Sequence, residues 1–166
     1  MTKKNQENFN LIVNDINKNV KFNKLKLELH HGITRYDPSM RVAKWTYKVG
    51  KILKLKKINE TTRAALLHDF FINEDLKGQS AIKKLNTHPK MALENSLKYY
   101  TLTDLQKDII ETHMFPCTLN LPKYKESWLV SLVDKIVSIY EQLRFKLSMY
   151  IGIYALFFFE IIKLPR

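Results

Sequence analysis

A histidine and an aspartate stand side by side, His68-Asp69, in the otherwise apolar run Ala64-Ala65-Leu66-Leu67-His68-Asp69-Phe70-Phe71. A carboxylate taken out of water is costly unless a cation or a basic group neutralises it. Any fold of this chain must therefore bring a partner to that pair. Neighbouring side chains on one helix point about 100° apart. Both can reach one ion only if other segments supply further ligands.

Those other segments read as helices. With 4 Gly and 5 Pro in 166 residues, the chain lacks the punctuation of an all-β fold. Its apolar residues recur at helical spacing, as in Phe9, Ile12, Val13 and Ile16, which predict a first helix over 6–18. Gly32 and Pro38 mark a loop that leads into a second helix, with Asp37 as N-cap and Pro38 at the first helical position. That helix ends in the basic run 51–57, which suits a helix C-terminus or a phosphate-attracting patch. A third helix from Asn59 or Glu60 carries His68-Asp69, and a fourth is capped by Asn86 or Thr87 with His88 in its first turn. Thr103-Asp104-Leu105-Gln106 has the form of a capping box and opens a helix that runs to His113. The segment 127–141 is apolar round nearly its whole circumference, which predicts a central helix. The apolar stretch 149–162 is short for a bilayer span and contains Glu160. It reads as a docked C-terminal helix, or as a peripheral membrane or dimer contact, flanked by Lys146, Lys163 and Arg166. The expected fold is all-α, a compact single-domain helical bundle. Its parts are an N-terminal helix and linker over 1–28, a core over 29–145 and an apolar C-terminal helix of the same domain over 146–166.

Composition narrows the function classes. Hydrophobic residues at 45% and charged residues at 27% describe an ordinary globular chain rather than a disordered one. The lone cysteine, Cys117, excludes an internal disulfide and any Cys-x-x-Cys pair. That suits a reducing compartment, and the polar first residues contain no signal-peptide core, so a cytoplasmic location is expected. A net charge of +12 favours an anionic partner: a phosphorylated small molecule or nucleotide, a nucleic acid, or an anionic membrane surface. No recognisable nucleic-acid motif accompanies the charge, so a nucleic-acid partner rests on charge alone.

Three further residues could complete a site with His68-Asp69. His88 near a helix start, His113 near a helix end and Asp134 on an apolar face each have an ordinary structural reading. These are an exposed cap residue, a histidine favoured by the helix dipole and a buried ion pair, respectively.

Taken together, His68-Asp69, His88-Pro89, His113-Met114-x-Pro116 and Val133-Asp134-Lys135, following Gly32-Ile33-Thr34-Arg35-Tyr36-Asp37, resemble the HD-domain superfamily of metal-dependent phosphohydrolases. The resemblance spans roughly 31–141. It implies a helical domain of HD type that hydrolyses phosphate mono- or diesters with metal-activated water. It also implies His68, Asp69 and Asp134 around a first divalent ion, His88 and His113 around a second, and Asp69 as the catalytic, bridging carboxylate. Mixed imidazole and carboxylate ligation suits iron, manganese, zinc or cobalt. Arg35 and Lys135 become candidate phosphate contacts. One position departs from the pattern: Pro38 stands where the family has its first metal-binding histidine. His31, in the preceding loop, is a candidate replacement. The alternative is a catalytically degenerate member that keeps the fold and serves as a binding or regulatory module.

Overall fold

The computed structural model describes residues 1–27, 29–30, 33–72, 78 and 80–163 of the 166. His31, Glu74 and Asp75 lie outside the described residues. The described chain is all-helical apart from one two-residue antiparallel pairing. Its elements are α1 (Lys3–Lys18), α2 (Val20–Asn23), a 3-10 turn (Lys24–Lys26), β1 (Leu29–His30), β2 (Ile33–Thr34), α3 (Tyr36–Ile52), α4 (Ile58–Leu67), α5 (Ala81–Leu97), α6 (Asp104–Thr112) and α7 (Lys125–Lys163). In the pairing, Leu29 faces Thr34 and His30 faces Ile33.

The central helix is α4, which packs against α1, α3, α5, α6 and α7. Its small side chains explain the position. Thr61, Thr62, Ala64 and Ala65 are buried beside Leu66 and Leu67, and short side chains let neighbouring helices approach closely. Arg63 on its rim reaches back to α1, where its fork grips Asp15 and the carbonyl of Ile12. The α3–α4 hairpin turns through Lys54, which has a φ of 52°. A residue with a Cβ is disfavoured in that left-handed region by about 1 kcal/mol. Lys54→Gly is therefore expected to raise stability by roughly 0.5–1 kcal/mol, read as a higher urea midpoint with an unchanged slope.

Several sequence expectations need correction. Helix α3 begins before Pro38, not at it: Thr34 and Asp37 exchange hydrogen bonds, Asp37 N–H to Thr34 Oγ1 at 3.3 Å and Thr34 O–H to Asp37 Oδ2 at 2.7 Å. Pro38 falls in the first turn, where a missing N–H costs nothing. Helix α5 is capped by Ser80 and passes through Pro89 rather than starting beside it. Side-chain donors support the turn ahead of that proline, with Thr87 Oγ1 on the Lys83 carbonyl at 2.6 Å and the His88 ring on the Lys84 carbonyl at 2.9 Å. The capping box at Thr103 and Gln106 forms as expected.

The largest correction concerns α7. It is a peripheral helix, buried on one face through Val130, Val133, Val137 and Glu141, while its opposite apolar face is exposed. Nor does a separate C-terminal helix fold back on the bundle. The segment 146–163 continues α7, and every described side chain from 142 to 156 is exposed. An all-round apolar sequence marks a face that wants cover, and among the described residues nothing covers it.

Candidate metal centre

Helix ends build the site. His68 and His113 are the C-cap residues of α4 and α6. The last carbonyls of a helix lack backbone partners. Each of these rings supplies one: His68 Nδ1 lies 2.7 Å from the Ala65 carbonyl, and His113 Nδ1 lies 2.7 Å from the Ile110 carbonyl. His88 Nδ1 likewise lies 2.9 Å from a backbone carbonyl, that of Lys84 within α5. A carbonyl can only accept, so each Nδ1 carries a proton and Nε2 is the atom each ring turns to the carboxylates, protonated on His68 and a lone pair on the neutral His113 ring. All three Nε2 atoms converge on Asp69. His68-Asp69 thus sits where α4 ends, not within the helix, and the turn swings Asp69 toward α5 and α6.

The two oxygens of Asp69 face different partners. Oδ1 is 3.6 Å from His88 Nε2 and 3.6 Å from His113 Nε2. Oδ2 is 3.6 Å from His68 Nε2, which in turn is 3.3 Å from Asp134 Oδ1 of α7. The five side chains therefore form two clusters that share one carboxylate.

Three observations show that these residues fit divalent cations. Asp69 Oδ1 is buried and accepts no hydrogen bond. His88 and His113 bring their Nε2 atoms to 3.1 Å, an arrangement in which two lone pairs repel unless a proton or a cation lies between them. Finally, ligand atoms held about 2.1 Å from one ion stand roughly 3.0–3.4 Å apart, close to the spacings found here.

Electrostatics agree. Burial opposes a charge on His68, but the Asp69 and Asp134 carboxylates outweigh it and raise its pKa to about 9. Burial, reinforced by the charge on His68, pushes His113 down to about 3. Burial works against ionising Asp69 and Asp134, yet the surrounding imidazoles hold both below the usual carboxylate range. Asp69 is also the open edge of the site: its side chain is 29% exposed, whereas His68 and His113 are buried.

The remaining candidates lie around this centre. Lys135 donates to the His113 carbonyl at 2.7 Å and to Asp134 Oδ2 at 3.0 Å. It ties α7 to the end of α6 and orients Asp134, and only its remaining proton could serve a phosphate. The guanidinium of Arg35 stacks 4.0 Å from the Phe71 ring centroid, and that ring packs 5.2 Å from the His88 ring. Phe71 was not among the residues picked from the sequence. The available signal was its place two residues after Asp69. Phe71 also lines a cleft of about 210 Å³ whose rim carries Lys21, Lys24 and Lys98 beside Phe70 and Tyr99.

No family model, curated protein or solved structure matches this chain.

Proposed function

We propose that this chain is a metal-dependent phosphohydrolase of the HD-domain type, acting on a phosphate mono- or diester. The observation that carries the reading is Asp69, which turns one oxygen to His68 and the other to His88 and His113. Bound iron, manganese, zinc or cobalt would lower the pKa of a coordinated water and neutralise phosphoryl charge. The chain's own residues do the rest. Backbone carbonyls fix the three ring orientations, as partners of metal-binding imidazoles commonly do. Lys135 fixes Asp134. Arg35 stands beside the centre with a fork suited to phosphoryl oxygens. The lysine-rimmed cleft next to Phe71 favours an anionic substrate and agrees with the net charge of +12.

The test is hydrolysis of p-nitrophenyl phosphate and bis(p-nitrophenyl) phosphate with each of these metals. Turnover that disappears with chelator supports the reading. Absence of turnover in both the wild type and Pro38→His would sink it.

A second reading has one observation in its favour. Pro38 offers no ligand at the start of α3, so a chain that has lost catalysis but kept the fold would look the same there. Pro38→His separates the two. If a first-ion ligand is missing, restoring it is expected to tighten metal binding about tenfold or more, on the scale known for supporting groups at metal sites. Equilibrium dialysis reads the change. Hydrolysis that appears only in the variant would identify the wild type as the binding-module form.

A further inference from the structure

The exposed face of α7 has a period. Trp128, Ile139 and Tyr150 are spaced eleven apart, as are Leu132, Leu143 and Tyr154, and as are Ile136 and Leu147. Eleven residues make three turns of about 3.67 residues each, so such a stripe stays on one side of a nearly straight helix. The eight side chains lie across the helix from Val130, Asp134, Val137 and Glu141, which face the bundle. They are between 46% and 70% exposed. None is charged, and together they span roughly 40 Å of helix at 1.5 Å per residue.

We infer that this stripe pairs with the same stripe on a second copy of the chain, forming a two-fold dimer through α7. Area is the first argument. Large apolar and aromatic side chains about half exposed present on the order of 100 Å² each. Eight of them supply about 800 Å² per partner, the size of a standard stable interface. Charge is the second argument. A helix that lies on an anionic membrane carries a strongly basic polar face. The acids Glu126, Asp134 and Glu141 of α7 are buried on the bundle side. Between Trp128 and Tyr154 its cations are Lys135, engaged with Asp134 and the His113 carbonyl, and the exposed Arg144 and Lys146. Two exposed cations along roughly 40 Å fall short of a strongly basic face, and the uncharged, linear stripe matches another helix better than an anionic lipid surface. A pairing of identical surfaces is also the usual way a chain closes on itself. The metal centre opens elsewhere, at Asp69, so this inference does not depend on the proposed chemistry.

Light scattering coupled to size exclusion tests it on the full chain. The wild type is expected at twice the 19.7 kDa chain mass, falling toward the single-chain mass on dilution. The triple variant Leu132→Glu, Ile139→Glu, Leu143→Glu alters only exposed positions and is expected at the single-chain mass with unchanged helical circular dichroism. Should that variant misfold, a second readout decides. Ile139 lies midway along the stripe from Trp128 to Tyr150, so Ile139→Cys in a Cys117→Ser background is expected to cross-link under mild oxidation whichever way the helices run. A control at Leu119→Cys, off the stripe, is expected not to. A wild type at the single-chain mass at all concentrations would overturn the inference, as would a folded triple variant that remains dimeric. So would a monomer that floats with phosphatidylserine vesicles, which would assign the face to lipid.

Discussion

Asp69→Asn is expected to empty the centre of metal and to lower phosphate-ester hydrolysis by about a thousandfold or more, since both metal-assisted effects vanish together. The substitution keeps the shape of the side chain and removes its charge. Asp69 is the one residue whose two oxygens serve both clusters, so its loss is felt by His68 on one side and by His88 and His113 on the other. The fold should survive. Asp69 Oδ1 accepts no hydrogen bond, and the helix end is held by the His68 ring on the Ala65 carbonyl. Elemental analysis, ester hydrolysis and circular dichroism on one preparation read all three consequences. A folded Asp69→Asn protein with wild-type metal content would refute the shared-carboxylate geometry.

Stripping the metal exposes the second large effect, a dependence of stability on pH that peaks near neutrality. His68 has a folded pKa of about 9 against an ordinary value of 6.5. Its stabilisation is therefore complete below about pH 6.5 and is lost as the pH rises through about 9. His113 has the opposite sign. Its folded pKa is about 3, so its neutral ring favours the fold above about pH 6.5 and the unfolded chain gains ground as the pH falls toward 3. Asp134 and Asp69, both depressed, add to the acid limb, since their stabilisation is lost below the ordinary carboxylate range. The two limbs meet near pH 6.5, and the fall on the alkaline side is on the order of a few kcal/mol for a single group displaced this far. Thermal unfolding of chelator-treated protein between pH 4 and pH 9 should show that maximum, and His68→Gln should flatten the alkaline limb. The proton on His68 Nε2 must also leave before that atom can hold a metal. Metal affinity should therefore rise with pH up to about 9. A flat stability profile from pH 6.5 to pH 9 would count against the pairing of His68 with Asp69 and Asp134.

What was legible in the sequence depends on which interactions decide each feature. Helical periodicity was visible because α1, α3 and α6 bury one face each, and capping at Thr103 depends on residues three apart. A buried carboxylate beside a histidine signalled that partners were needed, but which residues they were was legible only through the resemblance to the HD-domain pattern. The structure brings His68, Asp69, His88, His113 and Asp134 together. The positions of helix ends were less legible. Pro89 lies inside α5, sustained by Thr87 and His88 side-chain donors that no propensity scale records. His68 and His113 end their helices because each ring caps a carbonyl three residues back. Burial of α7 was misread because apolar content reports a demand for cover, whatever its source. The bundle covers Val130, Val133 and Val137, whereas Leu132, Ile139 and Leu143 remain exposed.

Five side chains, two at the end of α4, one at the end of α6 and one each within α5 and α7, form the proposed metal centre. Its most direct measurement is elemental analysis of the full chain after equilibrium dialysis against manganese, iron, cobalt and zinc, with Asp69→Asn dialysed alongside. One or two ions per wild-type chain and none in the variant is the result the geometry predicts. No ion in either protein at any of the four metals would contradict it, and would leave His68, Asp69 and Asp134 as a buried ion-pair network that holds α4 to α7.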